Sequence, residues 1–328
     1  MSITTERDEI LEELRASDKL LLTTHENPDG DALGSLLAMH LILRQLGKDS
    51  VMFLSANNFP LPHEYRHMAL DEVLREPPAD VEDRTVLFLD CGNIDRMPVD
   101  FLQHAGVHRL NVDHHHDNTR FGSANLVVPD ASSTAEIVYG LAKQLGAEIT
   151  LPIAEALYIA LITDTGKFMF ENTTPAAHHM AAELIETGVS PQAIHQKLYE
   201  GLPFSRVELL ARALGAVCRY DGGALTLTHL TQQDFLESRA RESDSEGIVD
   251  HLRAIEDTAV AALVRELLDE NKRGWRKVSL RSTDGRVDVS QIARGLGGGG
   301  HRQAAGFTTE LPMDELVVRL RQEIQEQL

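Results

Sequence analysis

The chain has 328 residues, enough for two domains at roughly 150 residues each, and its apolar content of 42% can fill a core in both. Its 31 Lys and Arg against 51 Asp and Glu leave a net charge of −20, which argues against broad binding to long nucleic acid or to an anionic membrane. Two distant cysteines, Cys91 and Cys218, the lack of any long apolar run and a polar, acidic N-terminus point to a reducing cytoplasm, without a disulfide framework, membrane span or signal peptide.

Residues 7–17 read as a short amphipathic helix. Leu20–Leu22 reads as a buried strand, followed by the polar loop T-H-E-N-P-D-G-D and a helix over 32–46 that stops at Gly47. Val51–Leu54 is a second strand, and 55–80, rich in Asn, Pro and His, reads as loop. Thr85–Leu89 is a strongly apolar strand ending on Asp90. Val107–Val112 is another, ending on Asp113-His114-His115-His116, and Leu126–Val128 is a short one. Ser133–Leu145 is a helix opened by the capping pair Ser133 and Glu136, and Pro152–Ile162 is a helix running into Thr163-Asp164-Thr165-Gly166. Strands alternating with helices predict an α/β fold with a mostly parallel sheet flanked by helices. Pro175–Thr187 is a helix capped by Thr174, and another begins at Ser190-Pro191. They lead into a connection placed at 189–210, between a first domain, 1–188, and a smaller α/β domain, 211–328. In the second half Ala224–Leu230 reads as strand, Thr231–Ser238 as helix and 243–256 as a mixed acidic segment. Ala259–Leu268 and Val278–Arg281 fit strand or helix equally, and Pro312–Leu328 is an amphipathic helix.

Three of these strands end beside a metal-capable residue: His25, Asp90 and the Asp113-His114-His115 run. In a parallel sheet such ends share one edge, where ligands bind. His25, Asp29, Asp31, Asp90, His114 and Asp164 together offer two imidazoles and four carboxylates. Like charges so close repel unless a cation lies between them. This donor mixture suits Mn²⁺ or a similar first-row ion better than Ca²⁺, and six groups exceed what one open site needs. Two ions sharing a carboxylate fit better; about 3.5–4 Å apart, they can hold a hydroxide and neutralise a phosphoryl transition state. Each residue also has a plainer reading: turn and N-cap chemistry for Asp29 and Asp31, a strand end for Asp90, chance adjacency for the His run, a helix end for Asp164. His178-His179, on a helix, is taken as such a chance pair.

A second signal is G-L-G-G-G-G-H-R-Q-A-A-G, Gly295–Gly306. A glycine run is commonly a flexible linker, but its backbone N–H groups can also cradle an anion. Between Lys272 and Arg302 stand eight Lys or Arg against two Asp, which in so acidic a chain reads as a phosphate-binding surface.

H-E-N-P-D-G-D-A-L-G-S, the lone Asp90 after an apolar strand, Asp113-His114-His115, T-D-T-G-K-F and G-G-G-G-H-R-Q-A-A-G, in that order, resemble the DHH phosphoesterase superfamily with its DHH-associated C-terminal domain. The layout is most similar to the bifunctional oligoribonuclease and pAp-phosphatase (nano-RNase) branch. The resemblance implies one Mn²⁺ on His25, Asp29 and Asp90 and a second on Asp31, Asp90, His114 and Asp164, with Mg²⁺ or Co²⁺ as substitutes. It further implies His115 on the scissile phosphate, Asp113 orienting the histidines, and Arg281, Ser282, Gly299, Gly300 and His301 on the substrate's nucleotide or terminal phosphate. His116 receives no role. The implied activity is hydrolysis of short oligonucleotides of about 2–5 nucleotides to mononucleotides, or of 3′-phosphoadenosine 5′-phosphate (pAp) to AMP, through a hydroxide bridging two metals, in a cytoplasmic homodimer. Hydrolysis of pApA, cyclic dinucleotides, pyrophosphate or polyphosphate is the alternative.

Overall fold

The strand β1 (Lys19–Thr23) is apolar on both faces, as suits a strand in the middle of a sheet. In the computed structural model, which describes residues 2–97, 99–104 and 106–328, it lies between β2 (Asp49–Met52) and β3 (Thr85–Leu89). With β4 (Arg109–Asp113) and β5 (Ala124–Val127) it makes a five-stranded sheet, order β2-β1-β3-β4-β5, every pairing parallel. Helix α1 (Ile3–Ala16) precedes β1, the connections between strands carry α2 (Gly30–Gln45) and α3 (Asp100–Gln103), and α4 (Thr134–Leu145), α5 (Leu151–Asp164), α6 (Pro175–Glu186) and α7 (Pro191–Tyr199) follow β5.

The two faces are covered unequally. Leu20, Leu22, Leu87, Leu89, Leu110 and Val112 meet a core drawn from α1, α2, α4, α5 and α6. The alternate residues Leu21, Val86 and Phe88 meet Phe53, Met97 and Leu102, under loops and the single turn of α3. Each fully buried Leu contributes about 2 kcal/mol. Helix α2 is buried nearly all round because it is sandwiched between the sheet and α5. Two glycines one turn apart permit this. A Cβ on Gly30 would collide with the Thr163 side chain, and one on Gly34 would sit 2.5 Å from the Ala156 carbonyl and 2.7 Å from the Ala160 Cβ. This close approach brings the first turn of α2, with Asp31, against the last turn of α5, with Asp164.

The chain divides into two units, Met1–Glu200 and Gly201–Leu328. Residues 189–210, expected as a connection, hold α7 and the first half of α8 (Phe204–Gly215). In the second unit β6 (Cys218–Tyr220), β7 (Leu225–Leu230), β8 (Val260–Glu266), β9 (Arg276–Ser282), β10 (Gly299–His301) and β11 (Ala304–Thr309) form a mixed sheet, order β10-β11-β9-β8-β7-β6, in which β7 and β8 pair parallel. Helices α8, α9 (Gln232–Ser238) and α10 (Ile248–Arg253) cover one face, and α11 (Val289–Gly295) and α12 (Met313–Gln325) the other. The two segments that fit strand or helix equally are strands, β8 and β9. The glycine run is part of the sheet and not a free linker: β10 is its edge strand. Gly300, at φ 137°, lets the hairpin close where a Cβ would lie 2.5 Å from the Ala304 carbonyl.

Gly34→Leu is expected to force α2 and α5 apart, at a cost of about 1–3 kcal/mol in overpacking, and to lower the melting temperature by several degrees. Thermal denaturation followed by circular dichroism checks it; an unchanged transition contradicts the packing described.

Candidate metal centre

The carboxyl ends of β1, β3 and β4 lie side by side, so the residues that follow them meet at one rim. His25 comes two residues after β1, Asp90 directly after β3, and Asp113-His114-His115 at the end of β4. Asp29 and Asp31 enter from the start of α2, and Asp164 from the last residue of α5. Three overlapping groups result, in each of which the candidate ligand atoms lie within 4.8 Å of one another: His25, Asp29 and Asp90; Asp31, His114 and Asp164; and Asp90, His114 and His115. His25 Nε2 is 3.6 Å from Asp90 Oδ2. His114 Nε2 is 3.8 Å from Asp31 Oδ2, 3.7 Å from Asp90 Oδ1 and 3.6 Å from Asp164 Oδ2. The floor of the centre (His25, Asp31, Asp90) is buried, whereas His115, Asp164 and Asp29 reach solvent.

The supports are specific. His25 Nδ1 lies 2.8 Å from the Glu26 carbonyl and His114 Nδ1 3.3 Å from the Ala131 carbonyl. A carbonyl can only accept, so each ring donates from Nδ1 and turns Nε2 toward the carboxylates, the nitrogen left available to a metal. Asp31 accepts the Thr134 N–H at 2.6 Å and the Ala135 N–H at 3.0 Å, the first free donors of α4, and the Ser35 hydroxyl at 3.1 Å. Thr134 also donates its hydroxyl to Asp90 at 3.0 Å. Asp29 caps α2 by accepting the Ala32 N–H at 3.0 Å, so the plainer capping reading holds for it alongside its place in the cluster. Asp113 accepts from His115 Nδ1 at 2.8 Å and from Asn118 at 2.6 Å. Asn172 donates to Asp164 Oδ2 at 3.1 Å.

Strain is concentrated here. Asp90 has φ 57°, and in the turn after Asp164 both Lys167 and Phe168 have φ 63°. Left-handed backbone costs a residue with a Cβ on the order of 1 kcal/mol or more. At Asp90 this turn directs the carboxylate into the cluster at the sheet rim.

The electrostatics are those of crowded carboxylates. Burial, together with Asp90, Asp164 and Asp29, holds the Asp31 carboxyl well above its ordinary range. Burial and the charges of Asp90 and Asp29 push Asp164 up to about 7, against the pull of His114. Burial would raise Asp90 too, but His25, His115 and His114 surround it and draw it down to about 2. Burial opposes a charge on His115, yet its bond to Asp113 and the field of Asp90 raise it to about 9. A rim where some carboxylates hold protons for want of a cation, with two imidazole Nε2 atoms turned toward them, fits divalent metal ions. Its mixture of nitrogen and oxygen donors is that of a first-row ion.

The residues expected to bind substrate lie in the second unit. Arg281 and Ser282 end β9, and successive strand residues face opposite sides of the sheet. Arg281 Nε is 3.5 Å from Asp250 Oδ1, whereas Ser282 is buried and its hydroxyl has no hydrogen-bond partner. Gly299, Gly300 and His301 are exposed on β10. Both His301 and Arg281 pair with Ala304 of β11, so these two side chains share a face. His116 takes no part in the cluster. Asn118, Asn172 and Thr134 are positioning residues the sequence did not reveal, since an Asn in a turn or a Thr opening a helix has an ordinary local explanation.

A family model described as "DHH family, N-terminal domain" matches residues 19–161, and one described as "DHHA1 domain" matches residues 228–328. The chain belongs to the DHH family. It is 34% identical, over 94% of its length and 90% of the relative's, to the "bifunctional oligoribonuclease and PAP phosphatase NrnA" of Thermus thermophilus. It is 28% identical, over 92% of each chain, to the protein of the same description in Bacillus subtilis. A crystal structure described as an exopolyphosphatase-related protein from Bacteroides fragilis superposes with a TM-score of 0.89 at 25% identity, covering 98% of this chain and 96% of that one. Among the described residues, no helix is long and apolar enough to cross a membrane.

The metal-free protein is expected to lose stability as pH rises. Asp164 binds a proton up to about 7 when folded but only to about 3.8 as an ordinary carboxyl, so its contribution is lost between those values. His115, raised from 6.5 to about 9, extends the loss between those values. Melting temperatures from pH 5 to pH 9 in chelator should fall, and Mn²⁺ should reverse the fall at the alkaline end. A chelated protein that becomes more stable over this range contradicts the electrostatic account.

Proposed function

We propose that this chain is a metal-dependent phosphoesterase acting on short oligoribonucleotides of about 2–5 nucleotides, releasing mononucleotides, and on pAp, releasing AMP. The observation that carries the reading is the convergence of two imidazoles and four carboxylates about Asp90, in a chain whose relatives bear the name oligoribonuclease and PAP phosphatase. In this reading His25, Asp29 and Asp90 hold one ion, and Asp31, Asp90, His114 and Asp164 a second. Mn²⁺ is the working ion, and a homodimer in the cytoplasm is the assembly. Bound divalent ions supply Lewis acidity, activating water near neutral pH and neutralising phosphoryl charge.

The chain's own residues do the rest. Asp90 is held ionised by three histidines and serves both groups of ligands. Asp113, anchored by Asn118, fixes His115 with its Nδ1–H spent, so that a protonated His115 presents Nε2–H to a phosphate oxygen at the solvent side of the rim. The buried floor excludes bulk water, which strengthens every charge interaction there. Arg281 and His301, on one face of the second sheet, supply a guanidinium and a ring N–H for a terminal phosphate, and the backbone of Gly299 and Gly300 offers it N–H groups. Few phosphates can be neutralised this way by a chain of net charge −20, which restricts the substrate to short nucleotides.

The test is a substrate panel with purified protein and Mn²⁺: pAp, oligoribonucleotides of increasing length, pApA and pyrophosphate. Turnover should be greatest for pAp and the shortest oligonucleotides. Asp90→Ala should lower kcat/KM on both by at least about a thousandfold, roughly 4 kcal/mol of transition-state stabilisation. Substantial remaining turnover at saturating metal would refute the shared role of Asp90.

A further inference from the structure

We propose that Met169 and Phe170 form the stacking surface for the base of the nucleotide whose phosphate is cleaved, an inference that rests on the phosphoesterase reading above. After Asp164 the chain doubles back through three left-handed residues, Gly166, Lys167 and Phe168. The turn is closed by the Met169 and Phe170 N–H groups, which both donate to the Thr165 carbonyl, at 2.9 and 3.0 Å. Its far end is tied to the metal centre by Asn172, whose amide reaches Asp164 Oδ2.

Two of the large side chains of this turn are engaged within the fold. Lys167 Nζ lies 4.4 Å from the centre of the Tyr199 ring, and the Phe168 ring stacks on His178 at 4.8 Å. The other two are not. Met169 is 81% exposed and Phe170 52%. The Phe170 ring lies over Gly166, so close that a Cβ there would come within 2.5 Å of it, and Gly166 is two residues from Asp164. Strained backbone thus holds an aromatic face and a polarisable thioether in water beside the carboxylate rim. Every side chain of that rim is charged or polar and can address only phosphate and cations. A nucleobase is flat, apolar on its faces and joined to the reacting phosphate by one sugar, and aromatic rings bind such faces by stacking.

The test compares pAp with methyl riboside 3,5-bisphosphate, the same compound with its base replaced by a methoxy group. The ratio of their kcat/KM values measures what the base contributes. In Met169→Ala/Phe170→Ala that ratio should fall about tenfold, through KM for pAp and not through kcat. In Phe170→Trp, which keeps an aromatic face, it should be retained. A ratio unchanged in the alanine variant, as would follow if this pair docks against protein instead, overturns the stacking role. Failure of the wild type to hydrolyse either compound overturns both this inference and the reading on which it rests.

Discussion

Four aspartates brought to one rim of a sheet repel one another, and much of the first unit can be understood as the means of holding them there. Left to solvent they would move apart. The fold prevents this by rooting each carboxylate in a different element, in the loop before α2, the first turn of α2, the end of β3 and the last turn of α5, and by packing those elements tightly. The closeness of α2 and α5 depends on Gly30 and Gly34, far from chemistry in role but not in consequence. The N-terminus of α4 meets Asp31 with two backbone N–H groups, so one carboxylate is fixed by a helix end even without a cation. The histidines interleave with the aspartates and leave Asp90 the most strongly ionised of them.

Such an arrangement divides its residues into a floor and a rim. The floor is buried and shared, and it sets the position of charge. The rim, His115, Asp164 and the turn that follows it, is open and is where a phosphate and its attached nucleoside would arrive. The second unit presents a different surface, an edge hairpin of glycines beside Arg281 and His301. The lack of side chains at Gly299 and Gly300 is as purposeful as the crowding at the first centre: backbone N–H groups can be approached closely only where no Cβ intervenes.

Much of this architecture was legible in the sequence because the pattern was strong. The apolar runs before His25, Asp90 and Asp113 announced parallel strands, and parallel strands share an edge, so residues about 140 positions apart could be gathered on paper. What could not be read were features whose local signal is ordinary. Val278–Arg281 alternates too briefly to separate strand from helix. The glycine run is compositionally a linker, and only pairing with β11 makes it a strand. Asn118 and Asn172 look like turn residues, and their contacts with Asp113 and Asp164 are tertiary. The left-handed backbone at Asp90 is unreadable in principle, because nothing in L-F-L-D-C-G departs from a simple strand end.

The central claim is that one carboxylate serves two cations at once. Electron paramagnetic resonance of the Mn²⁺-titrated protein tests it most directly, because ions bridged by a common ligand couple magnetically and isolated ions do not. The account predicts two ions per chain at saturation and a spin-coupled spectrum that disappears in Asp90→Asn. A single bound ion, or two giving the sum of isolated Mn²⁺ signals, would contradict it.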